Sequence, residues 1–488
     1  MQSVARLRPG DLSGKLVLVC VYLCPSVTTS RILSASAANL LMHAEHTACV
    51  IISIGDELTL GQSQDTNSRW LSARLLEAGV VTLRRVTVPD DAPAIERAMR
   101  EGAADAPLVV STGGLGPTAD DLTRVALAGA LGDELVEDAD ALRAIGAWYA
   151  ARGARMPATN RVQALRPRGA ACLANPHGTA PGLRARLGGA DVFCLPGPPR
   201  EMKPMFEASV LPALRPPTGR AVRTRALPTF GYGESRVAEL LGDLMRRGRN
   251  PLVGTTASAG VVTVRLRYEG GASGADDALA ETERAVRAAL GAAVLTPEGG
   301  SRERTLAEVV LDLLKDRDET LAVAESCTGG LLGAMLTEVP GSSAAFAGGW
   351  IVYTNAMKHA ELGVPDRFVP DVPDPRAPGA VSEETARAMA LGCRERARVV
   401  LRGAPGVDHA LAITGIAGPE GGTEAKPVGT VWVCRASRDG TVDARRFLFR
   451  GGRDAVRTWS AMSALGMLRL KLLGVEMELL GEVERGDG

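Results

Sequence analysis

The chain has 488 residues, enough for roughly three domains that each bury a core of their own. Lys plus Arg and Asp plus Glu are both 56, so the formal charge is zero and no large field draws the protein to nucleic acid or to an anionic membrane. Aromatic residues are 3% of the chain, which excludes rows of base-stacking side chains; eight cysteines without a C-x-x-C and five histidines argue against a disulfide framework or a structural zinc site, and for a reducing, cytoplasmic setting.

Residues 1–47 read as a disordered or mis-assigned N-terminal extension. Arg6, Arg8 and Lys15 precede a nine-residue apolar run at 16–24, too short to span a bilayer but long enough for a secretory h-region, with 34–37 as a cleavage site. The competing expectation is a start assigned too early, with Met42 as the first residue. From 48 the pattern is regular: a strand at 48–54, the turn G-D-E, a helix capped by Thr66, a strand at 80–88, a helix at 92–100 and a strand at 108–111. Strands alternating with helices predict a parallel, doubly wound α/β sheet over 48–214. Residues 222–296 predict a small α+β unit with helices at 234–246 and 275–290 and a last short strand at 292–295. A third α/β domain is expected over 305–480, with a proline-rich loop at 365–380 and a disordered tail.

In the first domain, V-S-T-G-G-L-G-P-T-A-D-D joins a strand to a helix. Gly113, Gly114 and Gly116 allow close backbone approach, and N–H groups at the helix start can cradle a phosphate at the strand ends where ligands bind. Asp120 and Asp121 offer oxygen ligands to a divalent cation, and Asp56 and Glu57 are expected at the same edge. The plainer alternative is a turn that Asp121 merely caps.

The motifs G-D-E-L-T-L-G-Q-S-Q-D-T-N-S, S-T-G-G-L-G-P-T-A-D-D-L-T, N-P-H-G-T-A-P-G and L-P-G-P-P-R-E-M-K resemble the N-terminal domain of the CinA family, which is similar to the molybdopterin-binding fold. Pro198 departs from that pattern. In some family members this domain hydrolyses ADP-ribose to AMP and ribose 5-phosphate with a divalent metal. The resemblance implies that Gly113, Gly114, Gly116 and Thr118 line a nucleotide site, joined by Asn175, Gly178 and Thr179, with Asp56, Asp120 and Asp121 at the metal. Glu201 and Lys203 are further candidates.

In the third domain the apolar run 321–324 predicts a strand ending at Glu325, followed by Ser326 in A-E-S-C-T-G-G and a helix over 328–337. Ser326 then stands at a strand-to-helix turn, either as a cap or as a nucleophile. W-I-V-Y-T-N-A-M-K contributes Tyr353 and Lys358, and I-T-G-I-A-G-P-E-G-G-T-E-A-K a glycine-rich loop. Lys358, if desolvated, is able to act as a base directly or through Tyr353. The alternatives are a core tyrosine and a solvated helix lysine. His359 and His409 form no recognisable triad. Only six of the 56 basic residues are lysine (15, 203, 315, 358, 426 and 471), so lysine is expected where a proton has to come off.

These stretches, with P-G-S-S-A-A-F-A-G-G and G-A-V-S-E-E-T-A-R-A-M-A, resemble the C-terminal domain of the same family, a nicotinamide mononucleotide amidohydrolase. The resemblance implies Ser326 as nucleophile, activated by Tyr353 and Lys358, and backbone N–H groups after Ser326 as the oxyanion hole. It places Gly329, Gly330, Thr414, Gly415 and Gly418 at the substrate, and Arg453 on its phosphate with Arg457 as the alternative. No cofactor is implied for this domain. A homodimer acting on small nucleotides, with neither nucleic acid nor membrane as partner, is expected. The rival expectations are a pterin-binding protein and a non-catalytic competence or DNA-damage factor, although the middle unit, similar to a KH-type fold, lacks a G-x-x-G loop with basic flanks.

Overall fold

The structure, a computed structural model, describes residues 45–300, 303–370, 374–401 and 406–486. The apolar run at 16–24, the cleavage site at 34–37 and the Met42 start lie outside the described residues.

The first domain contains β1 (Ala48–Ile54), β2 (Val81–Val88), β3 (Leu108–Thr112), a separate ribbon of β4 (Leu135–Glu137) and β5 (Leu165–Pro167), then β6 (Ala171–Leu173), β7 (Gly182–Leu187) and β8 (Ala190–Leu195). The main sheet runs β2-β1-β3-β8-β7-β6. Its first four strands are parallel, whereas β7 runs antiparallel to both its neighbours, β8 and β6. The sheet is therefore mixed where an all-parallel one was expected: only residues 188 and 189 separate β7 from β8, which suits a hairpin and leaves no room for a crossover helix.

Both faces are covered, as period-two alternation requires. Cys49 and Ile51 meet Leu71 and Leu75 of α1 (Thr66–Glu77), while Val50 and Ile52 meet Ile95 and Met99 of α2 (Ala92–Asp105) and Leu127 of α3 (Thr123–Leu131). The cap of α1 is Asp65, which accepts the Ser68 N–H at 2.9 Å, rather than Thr66. Two more helices, α4 (Ala139–Ala150) and α5 (Pro199–Met205), complete the domain.

Order begins before residue 48. His46 is fully buried, its N–H donates to the Arg215 carbonyl at 2.6 Å, and its Nε2 lies 3.0 Å from the Asp191 carboxylate, which the Arg215 guanidinium also bonds. This clamp joins the first residues of the domain to β8 and to its last residues.

The middle unit is an antiparallel sheet of β9 (Arg220–Phe230), β10 (Leu252–Ser258) and β11 (Val261–Gly271), in the order β10-β11-β9. Val237 of α6 (Glu234–Leu241) and Leu279 and Val286 of α7 (Ala275–Leu290) pack on Leu227, Val264 and Leu266. The short strand expected at 292–295 is reduced to one bridge between Thr229 and Val294.

The third domain opens with α8 (Leu306–Lys315), started by a capping box of Thr305 and Glu308. Then follow β12 (Leu321–Glu325), α9 (Leu331–Thr337), β13 (Phe346–Ile351), α10 (Asn355–Leu362), α11 (Glu383–Val400), β14 (His409–Gly415), β15 (Thr430–Ser437), β16 (Val442–Leu448), α12 (Arg453–Leu473) and β17 (Glu482–Arg485). The sheet runs β13-β12-β14-β15-β16-β17, with β12 parallel to β13 and β14 and the remaining pairs antiparallel. Leu321 and Val323 face α8 and α12, and Ala322 and Ala324 face Met389 and Cys393 of α11. The tail expected to be disordered supplies β17, because Glu482 bonds the buried Arg445 at 3.1 Å and Arg485 at 2.6 Å. Among the described residues, no helix is long and apolar enough to cross a membrane.

The clamp generates a stability prediction. The His46 hydrogen bond, which outweighs burial, and the Arg215 guanidinium hold the Asp191 carboxyl well below the usual carboxylate range. A depressed carboxyl contributes stability above its unfolded pKa of about 4 and loses it below, by about 1.4 kcal/mol per pH unit. Asp191→Asn is expected to cost about 2–3 kcal/mol in urea unfolding at pH 7 and about 1 kcal/mol less at pH 3, where the folded carboxyl has lost only part of its advantage; an equal cost at both pH values would contradict this role.

Candidate functional sites

In the third domain the register assembles the site. Glu325 ends β12 opposite Ile351 of β13 and Ile413 of β14, so Ser326, Tyr353 and Thr414 all follow at the carboxyl ends of adjacent parallel strands. The Val352 N–H donates to the Glu325 carbonyl at 2.8 Å and the Ser326 N–H to the Ile413 carbonyl at 3.0 Å, which extends the pairing into the loops.

Ser326 is 7% exposed and does not cap α9. That role belongs to Glu325, 1% exposed, whose carboxylate accepts the N–H groups of Gly330 at 3.0 Å, Leu332 at 3.0 Å and Gly333 at 2.8 Å. Gly330 reaches this bond at φ +93, a left-handed conformation that favours glycine. The Gly329 N–H donates to the Ser326 carbonyl at 3.1 Å. Gly329 and Gly330 thus shape the turn, and the N–H groups of Cys327 and Thr328 are left outside the turn's own bonding. The Thr328 hydroxyl is buried without a hydrogen-bond partner.

Both plain alternatives for the tyrosine and the lysine are reversed. Tyr353 is 57% exposed and its hydroxyl accepts the Arg453 guanidinium at 3.0 Å, whereas Lys358 is 2% exposed. The Lys358 ammonium finds only the Tyr353 carbonyl, at 3.5 Å, and among the described residues no carboxylate pairs with it. Burial lowers the Lys358 pKa. Burial also pushes the Cys327 thiol up to about 12, against the pull of its own backbone N–H and of the Lys358 and Arg453 charges, which makes it a poor thiolate.

The two arginines separate by direction. Arg453 bridges the Tyr353 hydroxyl and, at 2.7 Å, the Gly418 carbonyl; Arg457 turns inward and donates to the Thr328 carbonyl at 2.8 and 3.3 Å. Thr414 points away from this group, donating to the Ala380 carbonyl at 2.6 Å, and a side chain at Gly415 would overlap Val431. Lys426 is half-buried and donates to the Pro378 carbonyl at 2.7 Å. His409 does bridge Ser437 at 2.9 Å and Glu319 at 3.0 Å, contrary to the expectation of no triad-like setting, but it opens β14 and so lies at the opposite end of the strands from Ser326. His359 contacts the Val364 and Val369 carbonyls.

In the first domain the glycine turn lines a cleft of about 400 Å³ with Gly113, Gly114, Gly116, Asp120, Asp121 and Thr179. Gly113 sits at φ +110 where a Cβ would overlap the Ile54 carbonyl. The Asp121 carboxylate accepts the N–H groups of Gly116 at 2.6 Å and Thr118 at 2.8 Å as well as the Thr118 hydroxyl, so the turn is closed by its own acid. Beneath it Arg124, almost wholly buried, donates to the carbonyls of Leu115 and, at 3.1 Å, Gly116; burial lowers its pKa to about 10. Asp56 exchanges hydrogen bonds with Asp90, each carboxylate accepting the other's backbone N–H.

The acids on the cleft wall are Glu57, Asp90, Asp120, Asp121 and Glu201. Glu201 is held at 2.8 Å by Asn175, and Gly178 lies against its carboxylate, whereas Lys203 faces Trp70. Sequence reasoning missed Asp90 and the buried pair Asn160–Gln163, 2.7 Å apart, of which Gln163 lines the cleft. Position just after β2, at the same strand edge as the glycine turn, was the available signal for Asp90. Burial, and after it the charges of Asp56, Glu57 and Asp120, raise the Asp90 pKa above the ordinary value, although the Asp56 N–H opposes this. Such like-charge crowding suits a bound cation. Among the described residues, however, no three potential ligands already converge on one point.

The comparisons with known proteins follow the same three divisions. Residues 50–216 match the family described as "Probable molybdopterin binding domain", 224–295 the "Damage-inducible protein CinA KH domain" and 303–472 the "CinA C-terminal domain". A CinA-like protein of Gemmatimonas aurantiaca is 42% identical over 426 residues, covering 86% of this chain and 95% of the relative. One from Geobacter metallireducens is 41% identical over 426 residues, covering 87% and 98%. A crystal structure of a competence/damage inducible protein from Agrobacterium tumefaciens is 37% identical over 34% of this chain and 93% of that one, with a TM-score of 0.31. Relatives aligned over nearly their whole length, and family matches that fall on three structural units in the same order, show that the chain belongs to the CinA family.

Proposed function

We propose that the third domain hydrolyses the carboxamide of nicotinamide mononucleotide, giving nicotinate mononucleotide and ammonia. The observation that carries this reading is Lys358: a buried lysine without a carboxylate partner, bonded to the Tyr353 carbonyl in the strand-end loop that pairs with the one carrying Ser326. Burial disfavours the unpaired ammonium relative to the neutral amine, so Lys358 gives up its proton more readily than an exposed lysine and is suited to act as a base. Ser326 Oγ attacks the amide carbon and its proton passes to Lys358. The N–H groups of Cys327 and Thr328 hold the developing oxyanion. The C–N bond breaks as that proton is returned to the departing ammonia, and water then hydrolyses the acyl-serine. Arg453 is assigned to the 5′-phosphate, as its exposed guanidinium suits bidentate binding, and Arg457 to support of the turn. A homodimer remains the expected assembly, and the cytoplasm the expected location.

The first domain is assigned to hydrolysis of ADP-ribose to AMP and ribose 5-phosphate. Glu57, Asp90 and Asp120, which line the cleft without converging on one point, would have to draw together to hold a divalent cation, with Asp56 and Asp121 shaping the loops that carry them; the ion would supply charge neutralisation at the pyrophosphate. Arg124 keeps the turn's carbonyls inward, so that Gly114 and Leu115 N–H groups remain for the phosphates.

Ser326→Ala is expected to lower ammonia release from nicotinamide mononucleotide at least 10²-fold, while Cys327→Ala keeps most of it. The reverse pattern would identify Cys327 as the nucleophile. Lys358→Arg should cost on the order of 10² in kcat, since arginine does not give up its proton. In the wild type, Lys358 is protonated below its pKa and unable to accept a proton, so kcat should rise with pH through a pKa below the ordinary lysine value of about 10.4. A pH profile shared by wild type and Lys358→Arg would exclude Lys358 as the base. ADP-ribose hydrolysis should vanish in EDTA and return with added divalent ion, and undiminished hydrolysis in EDTA would remove the metal from the first domain.

A further inference from the structure

The side chains assigned to the carboxamide reaction are not joined to one another by hydrogen bonds. Among the described residues the Ser326 hydroxyl has no hydrogen-bond partner, and the Lys358 ammonium meets the carbonyl of Tyr353, not its hydroxyl. That hydroxyl is taken by Arg453, whose guanidinium donates to it at 3.0 Å and to the Gly418 carbonyl at 2.7 Å. We propose that this pair of bonds is a latch opened by the phosphate of the substrate: the phosphate takes Arg453, and the released Tyr353 hydroxyl and glycine-rich loop complete the site around Ser326. The inference rests on the reading of the third domain as a nicotinamide mononucleotide amidohydrolase, and it makes the phosphate an activator as well as a handle.

Three observations carry it. The first is position. In the sheet β12 lies between β13 and β14; Tyr353 follows β13 and Gly418 stands in the loop after β14, so Arg453 ties together the two loops that flank the strand end carrying Ser326. The second is charge. Arg453 is exposed and, among the described residues, has no carboxylate partner. Its two acceptors are neutral, whereas bonds from a guanidinium to a phosphate are about twice as strong and engage two N–H groups at once. A phosphate that reaches this guanidinium therefore displaces the hydroxyl and the carbonyl. The third is the loop itself. Its far side is held by Lys426, which donates to the Pro378 carbonyl at 2.7 Å, and its base by Thr414 on the Ala380 carbonyl at 2.6 Å, whereas 419–425 is exposed. Arg453 is the tether on the Ser326 side. Binding energy from a group remote from the reacting bond is then used to assemble the site, so loss of that group falls on kcat and not on KM alone.

The test is ammonia release by the full chain from nicotinamide mononucleotide and from nicotinamide riboside, the same cation without its phosphate, with and without phosphite dianion. In wild type the riboside is expected to turn over with a kcat about 10²-fold below that of the nucleotide, and saturating phosphite should raise that kcat about tenfold. Arg453→Ala, folded by circular dichroism, should lose the phosphite effect and yet hydrolyse the riboside about threefold faster than wild type, because the latch is gone. An arginine that only bound phosphate would leave the riboside rate unchanged, and one that only supported the fold would lower it. A riboside rate in Arg453→Ala at or below that of wild type overturns the proposal, as does a wild-type riboside rate that phosphite does not raise. Hydrogen exchange of the 416–422 amides gives a second readout: it should quicken with phosphite in wild type and be quick without it in Arg453→Ala, and exchange that phosphite leaves unchanged in wild type overturns the latch. If neither compound yields ammonia, the amidohydrolase reading falls, while the exchange measurement still decides whether phosphate opens the latch.

Discussion

The third domain depends on the Glu325 carboxylate. Buried at the end of β12, it is matched to three N–H groups of the turn and of α9, donors that would otherwise be unsatisfied in the interior. Hydrogen bonds to a charged acceptor contribute about 1.5–3 kcal/mol each, so the turn after β12 is held rigidly. The consequence for function is indirect and strong. Because Glu325 occupies the helix N-terminus, Ser326 has no capping duty, and the donors left for chemistry are those of Cys327 and Thr328. From the other side Arg457 fixes the Thr328 carbonyl, so the same peptide is anchored at both ends.

The first domain solves the same problem with the same chemistry on a different turn. There Asp121 closes the glycine loop by accepting two N–H groups, and Arg124 pulls the loop's carbonyls beneath it. In both domains a carboxylate stands where an anionic ligand would compete for N–H groups of the turn after the strand. What remains open to a ligand is narrower than a glycine-rich motif suggests. In the first domain the acids that remain on the wall leave a net negative cleft, which is coherent with phosphate chemistry only if a cation enters with the substrate.

The middle unit packs on the third domain. Phe230 at the end of β9 packs with Leu465 and Leu479, and Arg469 of α12 donates to the Val294 carbonyl at 2.6 Å. Its antiparallel sheet and paired helices are the KH-like fold, yet no charged surface follows from that fold alone. The buried lysine in the third domain and the clamp of His46, Asp191 and Arg215 in the first carry more of the physical character of this protein than its overall charge does.

Residue periodicity by itself gave the elements from β1 to β3 and the strand ends at which Ser326 and Gly113 stand, since apolar alternation and glycine placement are local properties. The resemblance to the family was carried by the motifs themselves, those around Gly113 and those around Ser326, Tyr353 and Lys358, in their order along the chain. Asp65 rather than Thr66 caps α1 and β7 and β8 form a hairpin, both through partners close in the chain, whereas 482–485 becomes a strand through the distant Arg445. Only the tertiary structure decided that Tyr353 is exposed and Lys358 buried, that Arg453 faces outward while Arg457 supports the turn, and that Asp121 bonds its own loop. Burial and hydrogen-bond partnership are set by what the fold brings alongside a residue, and a single position in the chain carries no record of its neighbours across the sheet.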